Sequence, residues 1–484
     1  MKTRIGLLSA ALFALTVACG GGGVEVKTGG VKEPKVPGKP ATSTGETVSE
    51  PAQVQFNAAI EAMVAHDKAA DWNDANCADV AKRFEGAVAQ QKSAKFPEAT
   101  YNAGLAWQRC GNDKEARTRF QKALSDDPKF HFAKVQLALY DYKTNPNEDL
   151  AISTLQQAVI DAQFQNVPAL VNLALFQMQR ESSAGGQGCS DDMDCAKKNL
   201  QRALAIDDAY MPAFNQLALF YFQQAKKRAG AVKSSQKGAR GRQIATNAAL
   251  AKRADVQQLE LAALVCSQAI RKNPNYAPIH NTAGLIQNEL GQVNSAVAEF
   301  STAAKLDSKF FEAQMNYAAV NLSFRGFEQA QGAYKKALEM RPNDYDAHLG
   351  LALALRGPIQ STDTNYDQQV AAVQAELDTC KKLDPSRPDA YYNEGILVQE
   401  FKAKAGAGKE ATKAALRQAK ATFQTFIDKA QGKAEYEGAV KRSKERSQDI
   451  DDTIAFIDLE VAPATPPATP PATPPAPGAP VPKT

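Results

Sequence analysis

Seven cysteines and four histidines are the side chains of this 484-residue chain best suited to hold a metal or attack a substrate. The histidines, His66, His131, His280 and His348, are scattered, with no H-x-x-x-H and no Cys/His spacing that would gather ligands around an ion. Neither Cys266 nor Cys380 stands in a C-x-x-C pair, at a helix start or in a basic cluster, the settings that produce a reactive thiolate. The run Gly-Ala-Gly-Lys-Glu at 406–410 hints at a phosphate loop. It lacks the leading glycine and the Ser or Thr after Lys409, and no strand precedes it. Residue chemistry therefore predicts no catalytic group, no metal and no cofactor, and directs attention to surfaces that bind.

One segment is strongly charged. From Lys226 to Arg253 the chain carries Lys226, Lys227, Arg228, Lys233, Lys237, Arg240, Arg242, Lys252 and Arg253 and no acidic residue. Two readings fit: a solvated loop between extended helices, or a contact for an anionic partner such as lipid headgroups, cell-wall polymer or an acidic protein. Nucleic acid is not expected, because no aromatics are interleaved. The whole-chain charge of +4 favours no particular partner.

The chain opens with Lys2 and Arg4, an apolar stretch from Ile5 to Val17 too short to span a bilayer, and Ala18 before Cys19. That order predicts an exported signal peptide over residues 1–18. The ending Thr16-Val-Ala-Cys19 resembles a bacterial lipobox, departing from it at Thr16. The resemblance implies that Cys19 is lipidated and begins the mature protein, and Gly20 after it is similar to lipoproteins sent to the outer membrane. Ordinary cleavage after Ala18 is the alternative. Residues 19–51, Gly-rich and then rich in Lys, Pro, Ser and Thr, are too poor in apolar residues to order themselves and are expected to form a flexible tether. A Pro-rich tail with Thr-Pro-Pro-Ala repeats fills residues 461–484, either as a spacer or as a docking segment.

Between these ends the chain repeats itself. Gly104 is followed by Trp107, Ala116, Phe120, Ala123 and Pro128. The same offsets recur from Gly284 (Gln287, Ala296, Phe300, Ala303, Ser308) and from Ala318 (Asn321, Ala330, Tyr334, Ala337, Pro342). This 34-residue spacing of a small residue, Ala-x3-aromatic and Pro resembles the tetratricopeptide repeat, TPR. The resemblance implies an all-α solenoid of about eight helix-turn-helix repeats over residues 52–431. Insertions fall near 183–195, 226–255 and 357–367, and a capping helix covers 432–460. Gly104, Ala138, Ala174, Ala218, Gly284, Ala318, Ala352 and Gly395 are then the anchors where paired helices approach most closely.

In such a stack the start of a second helix lies beside the end of the next first helix, which pairs Cys77 with Cys110 as a disulfide. Cys189 and Cys195 share one loop and form a second candidate bridge, while Cys266 and Cys380, too far apart to bond, are expected as buried thiols. Two residues before the anchors stand Asn102, Gln136, Asn172, Gln216, Asn316 and Asn393, with Thr282 and Gly350 breaking the series. On the turn that lines the TPR groove, amides could hold the backbone of an extended peptide. They could equally be residues that order the helix.

Export signal, Gly run, TPRs and Thr-Pro-Pro-Ala tail together resemble myxobacterial envelope lipoproteins, most nearly the TPR lipoprotein of the adventurous gliding motility machinery (the Glt/Agl system). The resemblance implies a non-catalytic scaffold on the outer membrane, facing the periplasm, that binds envelope proteins or peptides. Pilus-assembly or outer-membrane-assembly lipoproteins, and a cell-wall-binding lipoprotein using the basic insertion, are the alternatives.

Overall fold

Apolar residues spaced three and four apart, interrupted by Asn, Gly and Pro, fold this chain into helices. The computed structural model describes residues 40–69, 71–186, 188–235, 243–403 and 408–459, without the side chains of 229–255. Residues 1–18, expected as a signal peptide, Cys19 and the Pro-rich tail lie outside the described residues. Among the described residues there are nineteen α-helices, and the only β contact is an isolated bridge between Ala41 and Thr47. The architecture is an all-α solenoid of helix-turn-helix repeats.

Two compact units divide the chain, one up to Tyr317 and one from Ala318. In the first, the hairpins are α1 (Glu50–Ala69) with α2 (Asp74–Ala89), α3 (Pro97–Arg109) with α4 (Asp113–Asp126), and α5 (His131–Thr144) with α6 (Glu148–Asp161). They continue as α7 (Val167–Arg180) with α8 (Asp192–Ile206), α9 (Met211–Ser235) with α10 (Gln243–Lys272), and α11 (Ala277–Glu289) with α12 (Val293–Leu306). Helix α13 (Phe311–Ser323) contains the division. The second unit holds α14 (Phe327–Met340), α15 (Tyr345–Arg356), α16 (Tyr366–Leu383), α17 (Asp389–Leu397), α18 (Lys409–Ala430) and α19 (Glu437–Leu459). A π-helical turn, Val398–Lys402, prolongs α17, and a 3-10 turn, Ala434–Tyr436, precedes α19.

The local sequence explains the breaks. Asn112, Asn147, Asp191 and Asp344 cap α4, α6, α8 and α15 by accepting a backbone N–H from the first turn. The residue seven after an anchor is left-handed in several hairpin turns, though not at Asn145 (φ −141°). Gly111 (φ +70°) and Gly291 (φ +77°) take this conformation without strain, whereas Arg325 adopts φ +63° despite its side chain.

Each hairpin closes on its anchor. A Cβ added to Gly104 would meet the Phe120 ring at 2.6 Å, and the same holds for Gly284 against Phe300 and Gly395 against Phe423. Ala116, Ala296 and Ala330 on the second helices are fully buried, as are the rings of Phe120 and Phe423. Burying such a ring contributes on the order of 2–3 kcal/mol. That exceeds the roughly 1 kcal/mol a helical glycine costs.

Disulfides join Cys77 to Cys110 (Cα–Cα 6.4 Å) and Cys189 to Cys195 (5.2 Å). The first ties the start of α2 to the residue that ends α3. Cys266 and Cys380 are buried thiols, and burial pushes both up to about 12.

One segment differs from the sequence expectation. Residues 40–49, assigned to the tether, are docked on the first repeats. Ser43 N–H donates to Glu98 Oε1 at 2.7 Å, Ser49 N–H donates to Gln91 Oε1 at 2.7 Å, and Thr42 and Val48 are buried. The basic insertion lengthens a hairpin, since α9 runs on to Ser235 and α10 begins at Gln243.

Candidate binding face

Helix α7 is mostly enclosed by its neighbours, so, Arg180 at its end aside, the accessible remainder is narrow. In α7 it comprises Pro168, Asn172, Leu175 and Gln179, spaced four, three and four residues apart along one side. The same offsets give Phe132, Gln136, Leu139 and Lys143 in α5, Pro212, Gln216, Leu219 and Gln223 in α9, and Pro278, Thr282, Leu285 and Glu289 in α11. At the centre of each lies the residue two before the anchor, an amide or Thr282, and one after it a half-buried leucine. Sequence reasoning passed over the leucines. Their signal was the recurrence of Leu directly after the anchor at 105, 139, 175, 219, 285 and 353.

The sequence leaves the amides as contacts for a peptide backbone or as residues that order the helix, and the structure shows what they bind within the chain. Asn102, fully buried, donates from Nδ2 to Glu98 O at 2.8 Å. Asn172 and Asn393 make the same bond to Pro168 O and Asp389 O, both at 2.9 Å. Others stitch consecutive first helices together. Gln136 Oε1 accepts from Gln108 Nε2 at 3.2 Å, and Asn316 Nδ2 donates to Asn281 Oδ1 at 2.9 Å. Thr282, which broke the amide series, keeps the stitch with a hydroxyl that donates to Asn215 Oδ1 at 2.6 Å. Gly350 breaks it for another reason: its missing side chain leaves room for the Tyr334 ring. The physical cause is position, because the residue two before an anchor faces the neighbouring first helix. Gln216 stands apart, with an Oε1 that is buried and has no partner among the described residues.

The basic insertion is only partly described. Lys227 pairs with Glu181 at 2.6 Å, and Lys226 Nζ sits 5.3 Å from the Phe222 ring centroid, its pKa lowered by burial. Arg228 is exposed. The side chain of Lys233, and Lys237, Arg240 and Arg242 entirely, lie outside the described residues.

The histidines serve the packing. His280 Nδ1 donates to Glu299 Oε2 at 2.7 Å and Nε2 to Pro274 O at 2.8 Å. Both partners are acceptors, so a ring protonated on both nitrogens satisfies them, and the Glu299 bond raises the His280 pKa. His348 has the same partners in its own repeat, Glu376 and Pro342 O. The hydroxyl of Tyr391 reaches the equivalent carbonyl of Pro385 at 3.3 Å. His131 accepts from Asn166 Nδ2 at 2.8 Å, with burial lowering its pKa, and His66 lies 2.7 Å from Asp71. Among the described residues no group of three or more His, Cys, Asp or Glu could hold a metal ion, and no helix is long and apolar enough to cross a membrane.

Compared with protein-family models and with curated protein sequences, the chain matches none. Solved structures similar to it include a TPR protein of Thermus thermophilus, with 25% identity over 46% of this chain and 98% of that one (TM-score 0.36). PilF of Pseudomonas aeruginosa is 15% identical over 56% of this chain and 98% of its own (TM-score 0.38). A tetratricopeptide repeat protein of Parabacteroides merdae is 14% identical over 66% and 98% (TM-score 0.35).

Proposed function

We propose that this chain is a non-catalytic scaffold that binds an extended segment of another protein along the accessible side of its first helices. The observation that carries the reading is the recurrence of a half-buried leucine three residues after a polar residue at the same offsets in α5, α7, α9 and α11. Regular spacing on a stack held by side-chain stitches presents one surface to many residues of a partner, and pre-organisation lowers the ordering cost of binding. Leucine supplies the contact area.

The lipobox-like ending at Cys19 supports an envelope address, with the lipid holding the scaffold near its partners and raising their effective concentration. On this reading the protein is an outer-membrane lipoprotein facing the periplasm, in a trans-envelope machine of the gliding-motility kind. Crosslinking in the native envelope followed by affinity purification tests it. The wild type should capture a defined envelope protein, and Leu175→Glu with Leu219→Glu should lose it. Capture that survives both charges would overturn the binding face. Cys19→Ser should move the chain out of the membrane fraction, and its retention there would overturn the lipid anchor.

A further inference from the structure

A helix that ends a repeat array turns a polar face outward, because no further repeat covers it. Helix α19, the last described helix, departs from this. Its inward side is ordinary: Ile450 is buried, Ile454 and Ile457 pack on the same core, and Lys420 Nζ in α18 donates to Asp451 at 2.6 Å. Its outward side is the stripe Lys441, Glu445, Gln448, Asp452, Phe456 and Leu459, spaced four, three, four, four and three residues apart and exposed throughout. Phe456 is 60% exposed and Leu459 74%. Two large apolar side chains side by side on one helix face, rather than scattered singly, mark an interaction surface.

The charges on α19 indicate what covers it. Residues 441–446 hold four bases, Lys441, Arg442, Lys444 and Arg446, and one acid, Glu445. Residues 447–452 hold three acids, Asp449, Asp451 and Asp452, and no base. Helix stability does not call for this order, since the dipole favours acids early in a helix and bases late. Arg446 and Asp451 are used within the chain, by Glu400 and Lys420. Lys441 and Asp452 face outward beside residues of their own helix, Glu445 at 3.8 Å and Gln448 at 2.9 Å.

This order is its own complement about the midpoint between Arg446 and Ser447. A second α19 laid antiparallel about that point sets Lys441 of each copy opposite Asp452 of the other. The same register sets Phe456 of each copy beside Gly438 of the other, because the two residues lie about five full turns apart on one side of the helix. Gly438 is exposed, and only the Arg442 guanidinium, 3.6 Å away, approaches the place a side chain there would take, so a ring has room. Residues 461–484 carry a single charged side chain, Lys483, and cannot answer this pattern from within the chain.

We propose that α19 is a self-association surface, on which two copies of this chain pair isologously and antiparallel with Phe456 of each over Gly438 of the other. Exposed charge pairs contribute little affinity individually. Here they fix the register, while the apolar area of Phe456 and Leu459 supplies the association.

Sedimentation velocity of the purified full chain at low salt, from the low micromolar to the hundred-micromolar range, tests this. The wild type should pass from the mass of one chain, 52.0 kDa, to twice that mass. Lys441→Asp and Asp452→Lys should each weaken self-association at least tenfold, since two-fold symmetry repeats the like-charge contact. Mixed in equal amounts, these two variants should recover the two-copy mass, because each then meets the opposite charge at both contacts. Phe456→Ser should also weaken it at least tenfold, and Leu150→Ser, at a residue 55% exposed in α6, should not. All four side chains are exposed, so circular dichroism of the variants should match the wild type. A wild type that stays at one copy overturns the proposal, and crosslinking from position 456 to residues 461–484 would then identify the tail as the cover. Two-copy mass that survives both single reversals, or a mixture that restores nothing, overturns the pairing along α19. Each of these results leaves the binding side of the first helices untouched.

Discussion

Gly284 lies against the ring of Phe300, so near that a methyl group added to it would come 2.6 Å from Cδ1 and Cε1. Steric need there outweighs helix propensity. Gly284→Ala should destabilise its repeat by about 1–3 kcal/mol through overpacking, less the roughly 1 kcal/mol of recovered propensity. Gly332, exposed in α14 with open space around its Cα, is the control: Gly332→Ala should stabilise by about 0.5–1 kcal/mol. Urea unfolding of both variants checks the pair, and equal signs would refute the packing explanation.

The His280 bond to Glu299 makes one repeat pH-dependent. Its folded pKa lies above the ordinary 6.5, so its stabilisation is complete below that value and fades as pH rises through the folded pKa. Hydrogen exchange, corrected for intrinsic rates, should show protection of α11 and α12 falling on that alkaline side. His280→Phe should flatten the slope.

Glu98 has a dependence of the same sign for a different physical reason. Burial raises its pKa from 4.5 to about 6, while Ser43 N–H holds Oε1 and the buried Oε2 finds no partner. The folded state therefore prefers the protonated acid. The penalty is absent below pH 4.5, grows towards pH 6 and is complete above it, reaching about 2 kcal/mol. Glu98→Gln should stabilise the contact of residues 40–49 at about pH 7 and leave it unchanged at about pH 4. Limited proteolysis of that segment across the pH range reads this out, and equal cleavage of wild type and variant at neutral pH would count against it.

Reduction separates the cysteines. Opening the Cys77–Cys110 bridge, which spans a sequence separation of 33, should cost about 3–4 kcal/mol. Iodoacetamide on the native, unreduced chain at about pH 8 should leave Cys266 and Cys380 nearly unlabelled, because burial holds their thiols protonated and out of reach. Rapid labelling of either by mass spectrometry would contradict the packing.

The repeat was legible in the sequence because close helix approach admits only small residues, and Gly104, Ala138 and Gly284 announce it at fixed spacing. The fate of the amides was not. Whether Asn316 meets water or Asn281 depends on how neighbouring first helices approach, and no local pattern encodes that. Residues 40–49 were illegible for a related reason. The segment has no periodicity and is held by Gln91 and Glu98, partners 42 and 55 residues away from the amides they bind.

Position-resolved photo-crosslinking in the native envelope examines the scaffold most directly. A photoreactive residue at Leu139, Leu175 or Leu219 should trap one protein partner at all three positions. The same residue at Gln157 or Gln201, exposed on second helices, should trap none. Crosslinks confined to the second helices, or none at the three leucines, would contradict binding along the first.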